Sequence, residues 1–156
     1  MPAGSDPAPI PGLPLRIRPL GIRMVLGISG VMLVVLVGAI WFALPSGMRD
    51  RFSLFQAVTY LILFAIVAVC FYAVMRSRLD ADEQGITIVN GFKERRYEWA
   101  QVVAVHLGRG APWASLDISD GTTVSALAIQ TADGARATRQ VRELRALIDQ
   151  HTQPLE

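Results

Sequence analysis

Two long stretches of this chain lack the alternation of apolar and polar positions that marks a soluble protein. Met24 to Leu44 is a run of 21 residues with Ser29 as its single polar member, and Leu54 to Met75 is a run of 22 whose polar content is Gln56, Thr59 and two tyrosines. Neither holds a charge. A soluble helix of that length would show a polar face. As helices, the two runs would extend about 31–33 Å at 1.5 Å per residue, the thickness of a hydrocarbon core. The pattern predicts transmembrane helices over residues 22–44 and 54–76. Between them, 45–53 carries Pro, Ser and Gly and is too short for anything but a tight turn, so the pair is an antiparallel hairpin. A cleavable signal peptide fits the first run poorly, because the run is long and no small-residue cleavage site follows it.

The pattern changes beyond the second run. Residues 77–84, with Asp80, Asp82 and Glu83, read as a polar linker, and the connection from Met75 to Gly85 keeps the next domain within about 35 Å of the bilayer at full extension. From Gly85 the period is two: Ile86 and Ile88 alternate with Thr87 and Val89. Asn90-Gly91 follows, a dipeptide favouring a two-residue hairpin turn with positive φ at both central positions. Phe92 to Trp99, Val102 to Leu107, Trp113 to Ser119 and Thr122 to Ile129 read as further strands, with turns at Gly108–Pro112 and Asp120-Gly121. The last segment switches to a helical period. Ala137, Val141, Leu144 and Ile148 share one face, and Thr131 or Asp133 is placed to cap the start. Arg139–Glu143 and Arg145–Asp149 have the i,i+4 spacing of ion pairs. The fold class is therefore a membrane α-helical hairpin plus an α+β domain over residues 85–151. That domain is a bent antiparallel sheet or small barrel closed by a C-terminal helix. Residues 1–21, with six of the nine prolines, read as a disordered tail.

Charge refines this picture. The chain of 156 residues has a formal net charge of +2, but from Arg76 onward there are ten Lys/Arg against eleven Asp/Glu. The excess arginine flanks the apolar runs, where it orients helices and does not neutralise a phosphate backbone, so a nucleic-acid partner is not expected. Arg16, Arg18, Arg23, Arg76 and Arg78 on the side of the termini outweigh Arg49 and Arg51 in the turn. Both termini are thus expected in the cytoplasm and the turn outside it.

Candidate chemistry is sparse. One cysteine, Cys70, lies inside an apolar run and cannot form an internal disulfide. His106 and His151 are the only histidines and lack metal-ligand spacing. No nucleophile elbow, P-loop or dinucleotide glycine pattern occurs. No catalytic residue, metal or cofactor is expected, and the chain does not read as an enzyme. Trp99, Val102, Val141, Leu144 and Ile148 are expected in the core. Lys93, Arg95 and Arg96 form the one basic cluster in the sheet and are the candidates for contact with anionic lipid. A solvated strand face is the commoner role of such residues. Arg109 and Trp113 flank a loop and are the candidate contact for a protein partner, because both residue types are enriched at binding hot spots.

The segment Leu79-Asp80-Ala81-Asp82-Glu83-Gln84-Gly85-Ile86-Thr87-Ile88, the stretch Arg96-Tyr97-Glu98-Trp99-Ala100-Gln101-Val102, and the spacing of Arg109–Trp113 and Asp120-Gly121-Thr122 resemble the bacterial PH-like domains of the low-molecular-weight protein antigen 6 type. In that family two transmembrane helices precede the domain. The resemblance covers about residues 24–150 and implies a PH-like fold. It brings no catalytic or binding residues with it. The expected function is a membrane-anchored, non-enzymatic protein-interaction or scaffold module at the inner face of the cell membrane, in contact with the bilayer and a membrane protein. The second reading is a domain that binds or senses anionic lipid.

Overall fold

A computed structural model describes residues 12–152. The chain divides into two compact units, the helix pair Leu20–Arg76 and a second unit formed by the segment up to Pro19 together with the chain from Ser77 onward.

In the first unit, α1 (Leu20–Ala43) and α3 (Leu54–Arg76) are both long and apolar enough to cross a membrane. α1 ends one residue before the expected boundary and starts two before it. The connection holds a single helical turn, α2 (Ser46–Arg49). The start of α3 is specified by a capping box that reads directly from Ser53-Leu54-Phe55-Gln56. The Gln56 N–H donates to the Ser53 hydroxyl at 3.3 Å, and the Ser53 N–H donates to the Gln56 side-chain carbonyl at 3.0 Å. Two orphan donors are thereby satisfied where no preceding turn can accept them. At the connected end, Trp41 meets Phe52 edge-on at 5.1 Å, and Phe52 stacks on Tyr60 at 5.7 Å. At the other end, the Arg23 guanidinium donates to the Met75 carbonyl. Gly30 faces Phe71 across the pair, where even a Cβ would make ordinary contact with the ring at 3.5 Å.

The second unit is a pair of antiparallel sheets and a helix. The first sheet has the order β1-β2-β3-β4, formed by Leu15–Ile17, Arg78–Asp82, Gly85–Asn90 and Lys93–Glu98; the second has the order β5-β6-β7, formed by Val102–His106, Trp113–Ile118 and Thr123–Gln130. The helix α4 (Ala135–Thr152) closes the core. Ile17, Leu79, Ala81, Ile86 and Ile88 from the first sheet meet Val105, Leu116, Ala126 and Ile129 from the second. Ala137, Val141, Leu144, Leu147 and Ile148 of α4 complete the cluster. The helical face expected from periodicity is the face that packs. Buried side chains of this size stabilise by about 1.5–3 kcal/mol each relative to exposure.

Several boundaries differ from the reading of the sequence. Residues 15–17, expected within a disordered tail, are strand β1, paired with β2 through Leu15↔Ala81, Arg16↔Asp80 and Ile17↔Leu79. Pairing satisfies their backbone groups, and Ile17 is buried to 1% exposure; residues 1–11 of the expected tail lie outside the described residues. The expected linker 77–84 is largely β2, whose Leu79 and Ala81 face the core while Arg78, Asp80 and Asp82 face outward. The domain consequently begins with β1 and β2 and not at residue 85. The helix pair is inserted between two adjacent strands of one sheet, with only Ser77 separating α3 from β2.

The hairpin turn also differs in form. Asn90 pairs with Lys93 in the ladder, so the two central residues are Gly91 and Phe92. Only Gly91 has positive φ, at 62°, the requirement of a turn with glycine at its first central position. At the next hairpin, Ser119-Asp120-Gly121 makes a three-residue loop with Gly121 at φ 83°, and the Asp120 carboxylate accepts the Thr122 N–H at 2.8 Å. Thr131 and Asp133, the expected capping residues, lie ahead of α4. They form a separate short turn there, and the Gly134 carbonyl accepts the Thr138 N–H at 3.2 Å. Neither expected i,i+4 ion pair appears among the described residues. Arg145 instead donates to the Val105 carbonyl at 2.9 Å, tying α4 to β5.

Candidate functional site

The basic cluster of β4 is split by the pleat of the strand. Arg96 lies on the outer face, where it donates to both Asp82 carboxylate oxygens at 3.0 Å and to the Gln84 side chain at 3.1 Å. On the same face Arg78 contacts Asp80 at 2.8 Å and Glu94 at 3.7 Å, and Arg16 approaches Asp80 at 4.0 Å. These surface pairs join charges of β1, β2 and β4 and each contributes little to stability. Asp82 is held below the usual carboxylate range, chiefly by the Gln84 N–H; desolvation opposes this, and Arg96 and the Gly85 N–H add to the lowering.

Lys93 and Arg95 point the other way. They line a cavity of about 270 Å³ with Ile88, Asn90, Thr123, Val124 and Ser125. No acidic residue lines it, and neither cation has an ion-pair partner among the described residues. Asn90 fixes the two walls relative to each other. Its Nδ2 donates to the Ser125 carbonyl at 2.5 Å, and its Oδ1 accepts the Leu127 N–H at 3.1 Å. This side chain thus satisfies backbone groups of the β7 edge, a role that its place in a turn dipeptide conceals. The hairpin tip is further held by the Gly91 N–H, which donates to the Ser77 hydroxyl at 3.3 Å.

The loop after β5 carries the other candidates. Arg109 is exposed, and Trp113, the first residue of β6, is 38% exposed. The loop is ordered by its backbone: the Ala111 N–H donates to the Gly108 carbonyl at 3.1 Å, and the Thr131 N–H to the Pro112 carbonyl at 3.0 Å. Trp113 therefore stands on a supported strand end, with Arg109 on the same loop. Both belong to the β5–β6 connection at one end of the second sheet, and neither lines the Lys93–Arg95 cavity.

Trp99 is 6% exposed, and Val102, Val141, Leu144 and Ile148 are buried. The Trp99 turn is set by Glu98 and Gln101, whose side chain accepts the Glu98 N–H at 2.9 Å. His106 contacts Asp117, whose other oxygen accepts the Thr123 hydroxyl at 3.1 Å. Asp117 is held below the usual carboxylate range, first by His106. His151 lies against Trp99. Among the described residues no group of three or more His, Cys, Asp or Glu side chains is placed to hold a metal ion.

Comparison with known proteins adds a family. A sequence model described as bacterial PH domain matches residues 76–147. Uncharacterized proteins of Mycobacterium tuberculosis and Mycobacterium bovis are 30% identical over 73 residues, a stretch that is 47% of this chain and 47% of each relative. The chain thus spans about half the length of the curated relatives it matches. No solved structure matches it.

Proposed function

We propose that this chain, whose residues 76–147 match a sequence model described as bacterial PH domain, is a membrane-anchored, non-enzymatic interaction module that presents its PH-like domain to a membrane protein. The observation that carries the reading is the insertion of the helix pair between β1 and β2. A domain attached at two adjacent strands, with one residue between α3 and β2, is confined to the surface of whatever bilayer holds the helices. Confinement raises the effective concentration of membrane-bound partners without any new contact. The excess arginine at the helix ends nearest the domain favours the cytoplasmic side.

The proposed partner surface is the Trp113 strand end with Arg109. An exposed indole and an exposed guanidinium carried by the same ordered loop have the composition of an interface anchor. Proximity crosslinking in native membranes, comparing the unmodified chain with a Trp113→Ala, Arg109→Glu variant, tests the assignment. The same neighbours recovered from both would remove it. A chain that stays in the supernatant after lysis and ultracentrifugation without detergent would remove the anchoring as well.

A further inference from the structure

The outward side of α4 carries a row of arginines. Arg136, Arg139, Arg142 and Arg145 recur at every third residue, and all four are exposed. Side chains three apart on a helix are neighbours, about 5–6 Å between Cβ atoms. Arg145 is committed to the Val105 carbonyl. Arg136, Arg139 and Arg142 have no carboxylate within 4.0 Å among the described residues. The acids nearest to them in sequence, Asp133 and Glu143, are half-buried.

The fold gains nothing from this arrangement. Neighbouring like charges repel, and cations are disfavoured at the start of a helix, where the backbone dipole is positive. The first turn of α4 nonetheless holds Arg136 and no acid. The outer face of the first sheet is built the other way: there Arg78 and Arg96 each have a carboxylate, at 2.8 and 3.0 Å.

The row starts close to the loop of the proposed partner surface. Trp113 pairs with Gln130. The next residue, Thr131, donates its N–H to the Pro112 carbonyl at 3.0 Å and its hydroxyl to the Ala111 carbonyl, and α4 begins at Ala135. Arginines without counter-charge are complementary to carboxylates, which a planar guanidinium binds through two parallel hydrogen bonds. The chain from Arg76 onward is close to neutral, with ten Lys/Arg against eleven Asp/Glu. It therefore has no broad positive field to draw in a polyanion, and its local positive face suits a local acidic contact. We propose that Arg136, Arg139 and Arg142 receive an acidic, Asp- and Glu-containing segment of the same protein partner that Arg109 and Trp113 contact.

This inference rests on the proposed interaction role, and the tests separate the two. The full chain in non-ionic detergent is titrated with a fluorescein-labelled peptide of alternating Glu and Ser, and with a matched peptide in which every Glu is Gln. Fluorescence anisotropy should show binding of the Glu peptide alone, weakening as salt is added. Arg136→Glu together with Arg139→Glu weakens it by about tenfold, and Arg51→Glu in the helix connection leaves it unchanged. The thermal midpoint of the double variant does not fall, because the exchange places acids at the start of α4. Equal binding of both peptides, or binding that survives the double variant, overturns the acidic assignment. A lowered midpoint makes the arginines structural and overturns it as well. Displacement of the peptide by phosphatidylglycerol vesicles, but not by phosphatidylcholine vesicles, makes the ligand a lipid and overturns the protein class. In native membranes, crosslinked neighbours lost with Trp113→Ala, Arg109→Glu but kept with Arg136→Glu, Arg139→Glu leave the interaction role standing and remove the acidic surface. Neighbours kept with both variants remove both.

Discussion

The indole of Trp99 lies flat on the imidazole of His151, with ring centroids 4.3 Å apart and planes 13° from parallel. The same indole donates its Nε1–H to the Asp82 carbonyl at 2.9 Å. One side chain therefore joins the last turn of α4 to the end of β2, elements 50 residues apart or more. Replacing Trp99 by Ala should cost about 3–5 kcal/mol, and by Phe about 1 kcal/mol for the lost hydrogen bond. In a domain of this size each kcal/mol moves the thermal midpoint by about 4–8 °C. Melting of the two variants in detergent checks the order; equal midpoints would contradict it.

Asp82, Asp117 and Asp120 all have carboxyl pKa values lowered from the ordinary value. The causes, largest first, are the Gln84 N–H for Asp82, His106 for Asp117 and the Thr122 hydroxyl for Asp120. A folded pKa below the unfolded one adds stability above the unfolded value of about 3.9, and that stability is lost as pH falls through the folded value. The fold should hold unchanged from neutral pH to about pH 5 and weaken below about pH 4. Asp82→Asn and Asp117→Asn should each flatten this acid limb, as measured by denaturant midpoints against pH.

Gly85 stands where no other residue fits. Its φ is 155°, and a Cβ would lie 2.1 Å from the Tyr97 carbonyl oxygen and 2.9 Å from the Glu98 Cα. Both obstacles are backbone of the paired strand, so neither can rotate away. Gly85→Ala should cost at least the about 1–3 kcal/mol of ordinary overpacking. Loss of folded protein in expression trials, against normal yield for Gly108→Ala, where a Cβ would meet only the Ala111 side chain at 3.6 Å, is the expected outcome.

Strand β1 should matter more than its three residues suggest. Ile17 is 1% exposed and belongs to the core cluster. Ile17→Ala should destabilise the domain by about 2–5 kcal/mol, although the residue precedes the helices. A thermal midpoint unchanged by Ile17→Ala would show that the edge of β2 needs no cover.

The helices were legible because composition alone decides them: no charge interrupts either run. The strands after Gly85 and the packed face of α4 were legible because periodicity and burial agree. Leu79 and Ala81 also alternate with Arg78, Asp80 and Asp82, so β2 carried the signal of a strand, but its acidic outer face resembles a linker. β1 carried almost none. A three-residue strand hemmed in by Pro14 and Pro19 is too short for a period, and its pairing depends on residues 79–81, far along the chain. The basic cluster was visible as composition, whereas its division was not. Alternation separates Arg95 from Arg96, but the release of Lys93 and Arg95 from counter-charge depends on where Asp82 and Glu94 come to lie. The Asn90 bridge to β7 is likewise a long-range contact with no local sign.

The interposition of α1, α2 and α3 between β1 and β2 ties biogenesis to architecture. During synthesis the first strand emerges before either helix and has no neighbour until the second helix has been completed. If only one helix were to insert, β1 and β2 would be left in different compartments, and the sheet could not close. In a membrane-anchored chain, closure of the sheet would thus depend on insertion of both helices, and a chain with one helix inserted would leave the buried Leu79 and Ile88 uncovered.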